Sequence, residues 1–173
     1  MCAILSRTDT VRGLCILPMA LLITAPIAAQ DDPALPVADH VVVDKTARTI
    51  VVFADGAPVR TITGIRLGDA PRGHKRFQGD ERTPEGRYVI DYSNPQSAFY
   101  LSLHISYPNA ADRAFAASQG RSPGGDIFIH GQPNGRTGHI ARDWTDGCIA
   151  VSNKDIEWLW QTVPDGTPID ILP

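Results

Sequence analysis

The sequence predicts a single, mainly β domain with one or two short helices, and three observations carry that expectation. The 173-residue chain holds 15 glycines and 14 prolines, a share of turn-formers that suits short strands better than a helical bundle. Short β-branched runs recur between those turn residues. At 43% hydrophobic residues, a chain of this length can fill one core. The formal net charge of −3 gives no basic footprint for nucleic acid.

Residues 1–29 read as a secretory signal peptide. Arg7 and Arg12 form a positive start, Leu14 to Ala28 is the apolar stretch, and Ile27-Ala28-Ala29 offers small residues for cleavage. Pro18 and Pro26 break the apolar stretch, which is short against the roughly 20 residues a spanning helix needs. No membrane span is therefore expected after cleavage. Cleavage removes Cys2 and Cys15 and leaves Cys148 as the single cysteine of the mature chain. In an oxidising compartment a lone cysteine is either a free reactive thiol or half of an intermolecular link.

Residues 30–38, with Pro33 and Pro36, form a short extended linker, and the domain proper occupies 39–173. It opens with a strand meander: His40 to Val43, Thr49 to Phe53 and Val59 to Ile65, with turns at Asp44-Lys45 and Asp55-Gly56. His40 is expected at the surface without a partner. Arg66 to Gly86 is a long Gly- and Pro-containing loop, of the kind that is functional or disordered in a compact domain. No Gly-Lys-Ser/Thr follows its glycines, so it is not a phosphate loop. Strands are expected at Arg87 to Tyr92 and Phe99 to Ser106. The second alternates, placing Tyr100 and His104 on a polar face that looks toward a cleft. A helix follows at Ala110 to Ser118, then a turn at Gly120 to Gly125.

The chemistry concentrates in Asp126 to Asn153. Ile127-Phe128-Ile129 reads as a buried strand that delivers His130, with Gly131 where the backbone must turn or be approached closely. After a polar loop, Thr145-Asp146-Gly147-Cys148 turns into the apolar run Ile149-Ala150-Val151. A thiol nucleophile needs an imidazole to take its proton, and Cys148 with His130 supplies both groups. The backbone N–H groups of Gly147 and Cys148 are placed to hold an oxyanion. A final helix begins at Ser152-Asn153 with Asp155 in a capping position, and its apolar stripe is Ile156, Leu159 and Trp160. A last strand spans Pro168 to Leu172.

His130-Gly131, the fourteen residues from Gly131 to Trp144, Thr145-x-Gly147-Cys148-Ile149 and Asn153 together resemble the signature of the L,D-transpeptidase (YkuD-type) catalytic domain. Arg66-Leu67-Gly68, Pro71-x-Gly73-x-Lys75, Gly79-Asp80-x-x-Thr83-Pro84-x-Gly86 and Tyr107-Pro108-Asn109 resemble the same domain in the same order, from about Ala38 to the C-terminus. The resemblance implies a β-sandwich of that type, Cys148 as nucleophile and His130 as base. It places Gly131, Thr145, Asp146, Arg142, Tyr100, His104 and Asn153 as binding or supporting residues. It further implies peptidoglycan stem peptides as substrate, a wall-linked lipoprotein as a possible partner, no cofactor or metal, and a periplasmic location.

Other readings of the stretch are release of the acyl group to water (a carboxypeptidase), a murein amidase, or a wall-binding domain that has lost its chemistry. A zinc site built from His130, His139, Asp143, Asp146 and Cys148 lacks the paired ligand spacing that zinc sites usually show. Two residues depart from the family pattern: Asp146 stands where a second histidine is usual, and Ala150 where an arginine is frequent. An ionised Asp146 opposes thiolate formation, so it is expected to pair with Arg142.

Overall fold

The computed structural model describes residues 34–173. The expected signal peptide over residues 1–29, with Cys2 and Cys15, lies outside them. The chain runs β1 (His40–Asp44), β2 (Thr49–Ala54), β3 (Ala57–Thr63), β4 (Gly86–Asn94), β5 (Ser102–Ile105), α1 (Ala110–Ser118), β6 (Ile127–His130), β7 (Ile149–Ala150), α2 (Asn153–Thr162) and β8 (Thr167–Leu172). All eight strands join one curled sheet in the order β3-β2-β1-β8-β4-β5-β6-β7. The expected mainly β domain with two short helices is therefore what the chain forms.

Alternation decides which faces are buried. Val41 and Val43 of β1, Ile50 and Val52 of β2, and Ile169 and Ile171 of β8 point inward and are essentially inaccessible. Each such side chain contributes about 1.5–3 kcal/mol on burial. The C-terminal strand β8 sits mid-sheet, parallel to β1 and antiparallel to β4, so the last residues of the chain join its two halves. Helix α2 lies against β5 and β6 and closes the core with Ile156 and Leu159. Its Ser152 cap accepts the Asp155 N–H, as the sequence indicates. Helix α1 carries a full capping box between Asn109 and Asp112.

Three expectations change. The third strand ends at Thr63 because Gly64 turns at φ +72° and its N–H donates to the Arg48 carbonyl. The strand expected at Phe99–Ser106 shortens to Ser102–Ile105: the side chain of Asn134 accepts the Tyr100 N–H, and Tyr100 takes φ +71°, which breaks the alternation. His40 is not partnerless, since its Nε2 lies 3.0 Å from Asp170 Oδ2.

The long loop between β3 and β4 is fastened by a buried cation. Lys45, 3% exposed, donates to the carbonyls of Gly73 (2.8 Å) and Thr83 (3.1 Å) and to Glu85 Oε1 (2.8 Å). That loop passes directly behind the turn that carries Cys148.

Candidate active site

His130 ends β6, and Cys148 immediately precedes β7. The two strands pair in parallel, with Ile129 opposite Ile149 and His130 opposite Ala150. Residues far apart in sequence thus arrive on one sheet edge. The Phe128 N–H donates to Cys148 Sγ at 3.4 Å, and Sγ lies 3.5 Å from the Asp126 carbonyl.

The turn before the thiol is held by Thr145. Its hydroxyl donates to the Cys148 carbonyl at 2.7 Å and accepts the Gly147 N–H at a long 3.3 Å. The Cys148 N–H donates to no group among the described residues. Gly147 adopts φ +126°, and a Cβ there would lie 2.5 Å from the Arg82 carbonyl oxygen, so only glycine fits. The long loop therefore sets the position of Cys148 from behind.

His130 is 3% exposed, between the rings of Phe99 (centroids 4.6 Å apart) and Trp144 (5.5 Å). Its Nδ1 lies 2.7 Å from the Gly131 carbonyl. A carbonyl only accepts, so Nδ1 carries the proton and Nε2 is left with its lone pair. Burial pushes the imidazole pKa below the ordinary 6.5, with the Gly131 bond opposing, so the ring is neutral at pH 7. Asn153, the first residue of α2, accepts the Gln132 N–H at 2.8 Å, and a Cβ on Gly131 would lie 2.7 Å from the same Oδ1.

Two clefts meet at this pair. One, of about 820 Å³, is lined by Lys75, Glu81, Trp144 and Asp146 among others; the second, of about 310 Å³, by Asn94, Ser97, Ser102 and Phe128. Both include Phe99, Asp126, His130 and Cys148. Burial raises the Cys148 thiol from 9.0 to about 11; the Phe128 N–H opposes this, and the Asp146 carboxylate adds to it. The two groups on the shared cleft wall are thus a neutral thiol and a neutral imidazole rather than a standing ion pair, and no hydrogen bond joins them among the described residues.

The expected Arg142–Asp146 pair is absent among the described residues: Arg142 is exposed, and Asp146 is exposed at the cleft wall. Tyr100 turns away and donates to Glu157. His104 stacks on Tyr92 at 4.4 Å and bonds Asp91, so neither residue lines a cleft. Asp143 is used by Arg48, which grips it with two bonds of 2.6 and 2.7 Å, and among the described residues no three His, Cys, Asp or Glu side chains gather to hold a metal. Phe99, Trp144, Gln132 and Asp126 were given no site role by the sequence reading. Trp144, immediately before the Thr-x-Gly-Cys turn, carried the only usable signal.

A family model described as the L,D-transpeptidase catalytic domain matches residues 38–171. YafK of Escherichia coli K12, which bears an L,D-transpeptidase name, is 32% identical over 93 residues, 53% of this chain and 32% of that protein. YqjB of Bacillus subtilis, likewise named, is 24% identical over 152 residues, 86% of this chain and 79% of that protein. The crystal structure of Pgp2, the helical cell shape determining protein of Campylobacter jejuni, superposes with a TM-score of 0.63 at 27% identity, covering 81% of this chain and 51% of Pgp2. The match thus spans about a third of YafK and half of Pgp2. Among the described residues no helix is long and apolar enough to cross a membrane.

Proposed function

The chain belongs to the L,D-transpeptidase catalytic-domain family, and from that premise we propose that it is an exported, periplasmic acyltransferase acting on peptidoglycan stem peptides through Cys148. The single observation that carries this reading is Cys148 where two clefts meet, beside a buried histidine whose Nδ1 is committed to a carbonyl.

In the first half-reaction Cys148 Sγ attacks the carbonyl before the terminal D-alanine of a donor stem, while His130 Nε2 takes the thiol proton. The carbonyl oxygen becomes an oxyanion facing the Cys148 N–H, and the long Thr145–Gly147 contact releases a second donor. Collapse breaks the amide bond; the imidazolium gives its proton to the departing amine, leaving a thioester. In the second half an acceptor amine enters by the other cleft, loses a proton to Nε2 and attacks the thioester. The sulfur leaves and is reprotonated. Thr145 and Asn153 are positioning residues for nucleophile and base.

Water in place of the amine makes a carboxypeptidase, and attack on a lipoprotein linkage makes an amidase; both use the same pair. Pgp2 is a helical cell shape determining protein, and trimming or cross-linking stems is how this chain would serve such a role. The test is incubation with a soluble disaccharide-tetrapeptide, with products identified by mass. A cross-linked dimer supports transfer, and a tripeptide product supports hydrolysis. A well-folded Cys148→Ser variant that still forms either product sinks the cysteine mechanism. Covalent addition of a carbapenem at Cys148 is the corresponding inhibitor readout.

A further inference from the structure

Beside the larger cleft, the long loop and α1 build a layered stack of two arginines and two phenylalanines. The Arg76 guanidinium lies 4.5 Å from the centroid of Phe115, and that of Arg121 lies 3.8 Å from Phe77. The two rings are 5.8 Å apart, so the order is Arg76, Phe115, Phe77, Arg121. The stack is exposed: both arginines face solvent, and Phe115 is 39% accessible. It adjoins the cleft directly, because Gln78 and Ser122, each next to a stack residue in sequence, line the cleft wall and are joined by a 2.9 Å backbone bond.

Several of the surrounding acids are already committed. Asp80 takes the buried Lys75 and the N–H groups of Arg76, Phe77 and Arg82. Asp112 is buried against His74 and Tyr88, and Glu85 is paired with Lys45. Glu81, with Asp126 and Asp146 on the cleft wall and the exposed Asp69, remains uncommitted, set against Arg72, Arg76, Arg82, Arg113 and Arg121, none of which forms an ion pair among the described residues. A ring beneath a guanidinium fixes its plane without using its N–H edge, so both forks are preorganised for planar, bidentate anions.

We propose that this Arg76–Phe115–Phe77–Arg121 stack is a docking ridge for the free carboxylates of the peptidoglycan polymer, holding the wall while one stem occupies the adjoining cleft. The inference rests on the proposed substrate, since the polymer that supplies the cleft is also the carboxylate-rich surface around it. Because the bound groups are exposed charges, the interaction is screened by salt.

The test is co-sedimentation of the mature protein with purified insoluble peptidoglycan, native or with its carboxyl groups amidated by carbodiimide coupling. Native wall should retain the wild-type protein at low salt and release it as salt rises. The Arg76→Gln/Arg121→Gln double variant should bind about tenfold more weakly, two charge-assisted contacts being lost. Amidated wall should not retain the wild type. Equal binding by wild type and double variant, or undiminished binding to amidated wall, overturns the proposal. Turnover of the soluble disaccharide-tetrapeptide should be the same in both proteins; a loss there would place the arginines in the cleft itself and also overturn it. If the wild type turns over no muropeptide, the proposed reaction fails, while sedimentation still decides the ridge.

Discussion

Replacing Asp146 with asparagine should make Cys148 faster toward a small alkylating agent, because the structure leaves that carboxylate uncompensated beside the thiol. At a pKa of about 11 roughly one thiol in ten thousand is ionised at pH 7, against roughly one in a hundred at the ordinary 9.0. Burial is the larger cause and survives the substitution, so the ordinary value is not restored. Asp146 is exposed, and two charges in contact range through water-like surroundings interact by about 1 kcal/mol. That corresponds to roughly a fivefold gain in thiolate. The assay is the rate of iodoacetamide labelling of Cys148 from pH 7 to 11, followed by intact mass. The Asp146→Asn profile should shift to lower pH, and Arg142→Ala should overlay the wild type, since no ion pair joins the two side chains. An unmoved Asp146→Asn profile, or an Arg142→Ala profile shifted to higher pH, refutes the reasoning.

Gly147→Ala should destabilise the protein by about 3 kcal/mol or more in urea unfolding, combining a left-handed backbone with a 2.5 Å clash against the Arg82 carbonyl. Lys45→Met strips donors from two carbonyls and leaves Glu85 without its cation, and should cost about 2–4 kcal/mol in the same assay. The acid limb of acyl transfer should have its midpoint below pH 6.5, because His130 must be neutral and burial holds its folded pKa beneath 6.5. A rate profile breaking above pH 6.5 contradicts the buried, neutral base. The stability contributed by the same group is present above 6.5 and lost as pH falls through the folded value. Cys148 works in the opposite direction: its contribution is intact below pH 9.0 and lost as pH rises toward about 11, a loss Cys148→Ser should abolish.

The sequence exposed what depends on local pattern. Thr49–Ala54 and Ile127–His130 alternate or run apolar and are strands; Ala110–Ser118 lies after a good cap and is a helix. That Cys148 and His130 would share one site was legible from the strand ends and the Gly-Cys turn that carry them, and both line the same two clefts. What stayed hidden depends on distant partners. Tyr100 looked like a strand residue until Asn134, far along the chain, captured its amide. Arg142 looked like the partner of Asp146 on proximity alone, whereas the charge pair that forms in this region is Asp143 with Arg48. The buried Lys45 carries no sequence mark that separates it from a surface lysine, whereas Lys75 was distinguished only by its place in the Pro71-x-Gly73-x-Lys75 motif.

The Gly131 carbonyl that orients His130 has a consequence for how the site can vary. An acidic side chain in that role could be exchanged, protonated or rotated away, and the base would change with it. A peptide oxygen belongs to every residue type and does not titrate in the working range, so no side-chain replacement deletes it. The orientation of His130 is then vulnerable through packing: the Phe99 and Trp144 rings against the imidazole, and Asn153 Oδ1, the Phe99 carbonyl and Ile156 Cγ2 at 2.7, 3.0 and 3.1 Å from where a Cβ on Gly131 would sit. Variation that silences this histidine should therefore gather at Gly131 and the residues crowding it, and enter as bulk rather than as lost charge.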